Sequence, residues 1–276
     1  MRLGINTSCT MPYSIETEIP ALAAAGFEWV ELRTPELRDY LESNSLSSLR
    51  RLLDGCGMRV GSINAIDFVT FRGDSYPKSV RDECKRQCEW AAELACDCLI
   101  AVPSPTPSRQ TSWEEICSES VRVLSDLASL TAPLGITLGF EPLGFGWCSV
   151  RTVAGACEIL DAVAPAPVGL VLDLFHFALG GSRLEELDRL DASRIPIVHV
   201  DDVIRGTVEA TTDADRVFPG DGDLPIDEIC ARLVHGGFSG LLSLELFRPE
   251  YWEWEPRRIA ERSYASLAAV ATRASS

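Results

Sequence analysis

Short apolar runs alternate with stretches of helical periodicity from one end of this chain to the other, and no other feature narrows the possible fold so far. The runs begin at Met1 (MRLGIN), Phe27 (FEWVELRT), Arg59 (RVGSINAI), Cys98 (CLIAVP), Thr137 (TLGFEP), Val168 (VGLVLD), Ile195 (IPIVHVDD) and Gly240 (GLLSLELF). Continuous apolar runs of this length suit strands covered on both faces, which is the condition of a parallel sheet. Between them Ile15, Ile19, Leu22 and Ala23 recur at helical spacing, as do Leu46, Leu49, Leu52 and Leu53, and later Ile226, Ile229 and Leu233. A long helix is predicted from about Ser79 to Ala95, another carries Val153, Cys157 and Leu160, LEELDRL is a short one, and a last helix follows Pro256. Ser112 and Glu115 form a capping box ahead of Ile116, Val123 and Leu127, and Pro133 with Gly135 stops that helix. The alternation predicts a (β/α)8 TIM barrel in a single domain, residues 1–276. A doubly wound open sheet competes, but it wants a glycine-rich phosphate turn after the first strand, which the chain lacks.

Composition bounds the partners. A formal net charge of -16 argues against nucleic acid, whose phosphates are bound by clustered Lys and Arg. No apolar run approaches the roughly 20 residues of a membrane helix, and MRLGINTSCT carries no signal-peptide core, so a cytoplasmic protein with no membrane partner is expected. The ten cysteines are scattered without a CxxC pair, the pattern of buried free thiols.

The chemistry shows where the predicted strands end. VGLVLDLFH runs from a buried strand into Asp173 and His176, while Glu141 ends strand five, His199 strand seven and Glu245 strand eight. In this barrel all strand ends open on one face, where loops build the active site. A carboxylate at a strand end ordinarily caps a helix or meets solvent, and a lone histidine in VHV is ordinarily core. Four such residues on consecutive strands make a metal site the better account, because three bare carboxylates repel one another and a divalent cation holds all of them ionised. Two of the three histidines, His176 and His199, fall at these positions, and His235 beside Gly236 reads as structural. Oxygen-rich ligation with one nitrogen suits Mn2+, with Zn2+, Co2+ or Mg2+ compatible.

The loop DADRVFPGDGDLP offers Arg216, either as a surface salt bridge or as an anchor for a substrate oxygen. Phe68, Phe71, Trp147 and Phe218 lie in loops of the same face, where they wall a pocket or pack those loops; Trp252 and Trp254 are candidates for a subunit contact. A metal on a ketone oxygen and the neighbouring hydroxyl acidifies the C–H between them by stabilising a cis-enediolate. Glu141 or Glu245 is placed as the base.

At VELRT, INAIDF, AVP, VGLVLD, FHF, HVDD, DRVFPG and SLELFRPEY the chain resembles the xylose-isomerase-like sugar isomerase and epimerase superfamily of metal-dependent barrels, from end to end. The resemblance implies that Glu141, Asp173, His199 and Glu245 hold one divalent metal ion. It also implies that Glu141 and Glu245 are catalytic proton carriers and that His176 and Arg216 bind substrate oxygens. Leu174, Pro142, Asp67 and Arg72 depart from the expected pattern and bear on substrate identity. The activity expected first is isomerisation of a cyclic polyhydroxy ketone, an inosose. A ketose 3-epimerase of tagatose or psicose type and an inosose or dehydroshikimate-type dehydratase share its first step, and a non-catalytic metal-binding barrel is more remote. An apurinic endonuclease, on the same barrel, would need more histidines and less negative charge. A homodimer is the default assembly.

Overall fold

The computed structural model describes residues 1–204 and 212–275 of the chain. Residues 205–211, which follow HVDD in the sequence, therefore lie outside the described residues. Eight parallel strands close into a barrel: β1 (Arg2–Asn6), β2 (Trp29–Arg33), β3 (Arg59–Ile66), β4 (Cys98–Ala101), β5 (Thr137–Phe140), β6 (Val168–Asp173), β7 (Ile197–Val200) and β8 (Leu241–Leu244). Each neighbours the next, and β1 pairs with both β2 and β8. This is the expected (β/α)8 TIM barrel, with every predicted strand in place.

The predicted helices form at Ile15–Ala25, Leu46–Cys56, Trp113–Thr131, Val153–Val163, Leu184–Leu187, Ile226–His235 and Pro256–Ala274. The capping box of Ser112 and Glu115 is present in both directions. The helix expected from Ser79 to Ala95 instead begins as a wider π-turn at Pro77–Arg81 and becomes α-helical over Asp82–Leu94. Helices at Thr34–Leu41 and Leu174–Leu179, right after β2 and β6, were not anticipated, because each follows its strand without a loop.

Strand periodicity of two decides what enters the barrel. Val171 and Asp173 share one side of β6, Ile197 and His199 one side of β7, and Leu241 and Ser243 one side of β8. Ile100, Val171, Ile197, Leu241 and Cys98 pack together as a small apolar cluster separate from the main core. They form the floor inside the barrel, while a much larger cluster fills the layer between strands and helices. Gly61 makes room for this floor, since a Cβ there would lie 2.6 Å from Leu241 Cδ2. The next residues inward along β6 and β7 are Asp173 and His199, so the barrel is apolar below and ionisable above. All ten cysteines are free thiols, and no described helix is long and apolar enough to cross a membrane.

Candidate active site

Glu141, Asp173, His199 and Glu245 come together at the upper end of the barrel, with one donor atom from each lying within 4.8 Å of the others. All four are buried. His199 Nδ1 lies 2.8 Å from Glu141 Oε1, 3.4 Å from Glu245 Oε2 and 3.9 Å from Asp173 Oδ2. Three carboxylates and one imidazole on four adjacent strands form a donor set that fits a borderline-hard divalent ion.

The other face of His199 meets Glu31, whose Oε1 is 3.1 Å from Nε2. Glu31 in turn accepts from Ser62 Oγ across the β2–β3 pair. A carboxylate behind an imidazole fixes its tautomer and raises its basicity toward a metal. Glu31 stands inside an apolar strand, flanked by Val30 and Leu32. That placement is its one sequence signal.

Arg216 is 1% exposed, which excludes the surface salt bridge that the sequence left open. Its Nη1 donates to Asp173 Oδ2 at 2.5 Å, to Glu245 Oε2 at 3.1 Å, and to Asp201. Nη2 reaches Asp213 Oδ1 at 2.8 Å. The guanidinium carbon sits 4.7 Å from the Phe175 ring centroid and 5.4 Å from that of Phe247. Asp201, the first acid of HVDD, also accepts from the Phe175 backbone N–H at 2.8 Å; sequence reasoning missed it because its partner is fifteen residues away across a loop.

His176 Nε2 faces Arg216 Nη2 at 3.2 Å, and a guanidinium can only donate, so Nε2 accepts and Nδ1 carries the hydrogen. Nδ1 is buried and has no hydrogen-bond partner among the described residues. His176 rides on the helix Leu174–Leu179, whose N-terminus is capped by Asp173 Oδ1 accepting from the His176 N–H at 2.6 Å. That helix ends where Gly180 touches the chain at Arg151: an added Cβ would lie 2.0 Å from the Arg151 carbonyl oxygen. Gly180→Ala is therefore expected to cost about 1–3 kcal/mol by forced displacement, measured by urea unfolding, and to lower turnover by moving His176.

Phe145, not singled out from sequence, packs edge-on to His176 at 5.0 Å and stacks on Trp147 at 5.2 Å, and Trp147 meets Phe68 at 6.0 Å. Phe68 and Trp147 are exposed, and Phe68 holds φ +55, a conformation that bulky residues adopt only at a cost of about 1–3 kcal/mol. Phe218 is different: it is fully buried and stacks on Tyr251, so it packs its loop and walls no pocket. Trp252 donates to the Ser8 carbonyl at 2.9 Å and Trp254 packs on Tyr251 and Phe218, so both serve this chain's own loops. Leu174 is core, Pro142 is buried, Arg72 is half-buried, and Asp67 stands within electrostatic reach of Glu141 and Arg33. His235 is exposed, with Nδ1 2.7 Å from the Ala231 carbonyl, as expected of a structural residue.

Charge sharing sets the protonation. Burial alone would raise Asp173, but Arg216, His176 and His199 pull it well below the usual carboxylate range. Burial opposes charge on His199, yet Glu245, Glu31 and Glu141 raise it well above an ordinary histidine. Glu245 is pushed up from 4.5 to about 8, first by burial, with Glu141 and Asp173 adding to the rise that His199 and Arg216 oppose. Asp201 is also raised, by burial and by Asp173. A carboxyl whose folded pKa is raised binds its proton more tightly when folded, so its contribution to stability is lost as pH rises. His199 acts in the same direction. The EDTA-treated protein is thus expected to lose thermal stability between pH 4.5 and 8, and divalent metal to raise the midpoint more at pH 8 than at pH 6 as protons leave the cluster. A metal-induced rise that is equal at both pH values would contradict this coupling.

Comparison with known proteins places these residues in context. The family profile described as xylose isomerase-like TIM barrel matches residues 19–270. Inosose isomerase of Halalkalibacterium halodurans is 34% identical over 255 residues, covering 92% of this chain and 90% of the relative. Inosose isomerase of Bacillus subtilis is 34% identical, covering 92% and 91%. A crystal structure of IOLI protein with a binding zinc atom superposes with a TM-score of 0.94 at 31% identity, covering 99% of this chain and 98% of that one.

Proposed function

The chain belongs to the xylose isomerase-like TIM barrel family, and from that membership we propose that it is a metal-dependent isomerase of inosose, a cyclic polyhydroxy ketone. The observation that carries the chemistry is the convergence of Glu141, Asp173, His199 and Glu245 beside Arg216 and His176. The substrate rests on similarity to relatives named for inosose, spanning nine-tenths of both chains. This favours the isomerase over the ketose epimerase and the dehydratase.

Glu141, Asp173, His199 and Glu245 are the proposed metal ligands. A bound divalent ion would supply fixed positive charge at a ketone oxygen, making the neighbouring C–H more acidic. Manganese suits the oxygen-rich donors, and zinc, the atom named with the IOLI structure, is the alternative to compare with it. Glu141 and Glu245 are the proposed proton carriers, lifting a proton from carbon beside the carbonyl and returning one to the neighbouring carbon. His176 and Arg216 are the proposed anchors for substrate oxygens: the Nδ1–H of His176 is a buried donor without a partner among the described residues, which a carbonyl or hydroxyl oxygen would satisfy. Phe145, Trp147 and Phe68 present apolar surface beside His176, suited to the C–H face of a ring and to keeping water from a carbanion-like intermediate. Free thiols and a small polar substrate suit the cytoplasm, and a homodimer, checked by light scattering, is the expected assembly.

The test is proton NMR of 2-keto-myo-inositol in D2O with manganese-loaded and zinc-loaded enzyme, an EDTA-stripped control, and tagatose and psicose in parallel. Metal-dependent formation of a second inosose, or deuterium beside its carbonyl, is the expected result. Exchange confined to the ketoses would transfer the assignment to a 3-epimerase.

A further inference from the structure

Two side-chain amides, one from the neighbouring β1 and one from β3, converge on one oxygen of Glu245. Asn6, at the end of β1, donates Nδ2 to Glu245 Oε1 at 2.8 Å, and Asn64, near the end of β3, donates Nδ2 to the same oxygen at 3.1 Å. The other oxygen, Oε2, faces Arg216 and His199. The two amides therefore fix the rotation of the carboxyl group and choose which oxygen looks into the site.

Their other ends differ. The Asn6 side chain is fully buried, and its Oδ1 accepts from the Ser8 backbone N–H at 2.9 Å, so both ends of that amide are used within the protein. Asn64 is only half-buried, and its Oδ1 has no hydrogen bond from any described residue. A polar acceptor one amide width from the Glu245 contact, partly open and unpaired, is suited to a hydroxyl group. In a site built for a polyhydroxy ring, hydroxyls are what it would meet.

We propose that Asn64 is a substrate-contacting residue, whose amide nitrogen holds Glu245 Oε1 while its carbonyl oxygen accepts a hydrogen bond from a ring hydroxyl of the polyhydroxy ketone. Asn6 is a positioning residue that acts through Glu245 alone. The assignment rests on the proposed isomerase reading for the identity of the substrate, and on the hydrogen-bond geometry for the residue.

The two ends of Asn64 are separable by substitution. Asn64→Ala removes both, and is expected to raise KM and lower kcat by about tenfold each, the usual worth of one hydrogen bond to a substrate and one to a charged group. Asn64→Asp keeps an oxygen for the hydroxyl but sets an acceptor against Glu245 Oε1, so KM stays within about threefold of wild type while kcat falls by about tenfold or more. Asn6→Ala lowers kcat with KM unchanged. Thermal midpoints show that each variant is folded.

The experiment measures manganese-loaded wild type and the three variants for turnover of 2-keto-myo-inositol, and for calorimetric binding of myo-inositol, which cannot react. The KM difference between Asn64→Ala and Asn64→Asp, with myo-inositol binding weakened only in Asn64→Ala, supports the contact. An Asn64→Ala variant with wild-type KM and wild-type myo-inositol binding overturns it while the isomerase stands. A wild type that binds myo-inositol through Asn64 yet turns over no inosose keeps the contact and overturns the isomerase. A wild type that neither binds nor reacts overturns both.

Discussion

Glu245→Gln is expected to retain the fold and lose turnover by about 10²–10⁴-fold, the range that a positioned general acid or base contributes. The substitution keeps the side-chain volume but removes an anion that faces donors on every side: Asn6 and Asn64 at Oε1, Arg216 and His199 at Oε2. A neutral amide can satisfy one pair of donors with its oxygen, and then presents its own NH2 to the other pair. The variant should also hold divalent metal more weakly, read as metal content after gel filtration. Turnover that stays low at saturating manganese distinguishes loss of the proton carrier from simple loss of metal, and in EDTA the Gln variant should lack the ionisation that the raised Glu245 carboxyl gives the wild-type stability curve. Full turnover in this variant would remove Glu245 from the chemistry.

Much of this site was legible because the barrel converts sequence position into spatial position. A residue at the end of a predicted strand must stand on the loop-bearing face, so Glu141, Asp173, His199 and Glu245 could be placed together without knowing any distance. Residues whose partners depend on three-dimensional contact were harder to read. Asn6 and Asn64 also sit at or near strand ends and Glu31 in the middle of one, but amides and single acids in strands are common, and only the register across β1, β2 and β3 turns them toward Glu245 and His199. Phe218 stayed open between pocket wall and loop packing, because a loop aromatic can turn either way, and it is Tyr251 from a distant segment that gives it a place to stack. Likewise the π-turn at Pro77–Arg81 has no periodic signature that separates it from the α-helix it leads.

Arg216→Ala should have its largest effect on the metal-free protein. The guanidinium lies among Asp173, Asp201 and Glu245, all buried, with Asp213 behind it. Removing the cation leaves several carboxylates in a low-dielectric interior, with His199 the buried cation left beside them among the described residues. Breaking buried ion pairs in this one-sided way costs about 3–5 kcal/mol. A divalent ion restores positive charge to the same carboxylates, so the variant's stability should depend on metal more steeply than the wild type's. The expected result is a thermal midpoint well below wild type in EDTA, and a gap that narrows when manganese is added. Turnover is a separate readout, since added metal cannot replace the Arg216 Nη2 contact to His176 Nε2 or a donor for the substrate. With metal saturating, kcat/KM should remain depressed by about 10²–10³-fold, the cost of losing one donor to a developing oxyanion. A variant whose midpoint in EDTA equals that of wild type would show that Arg216 does not balance the cluster, and one that recovers full kcat/KM with metal would show that it does not touch substrate.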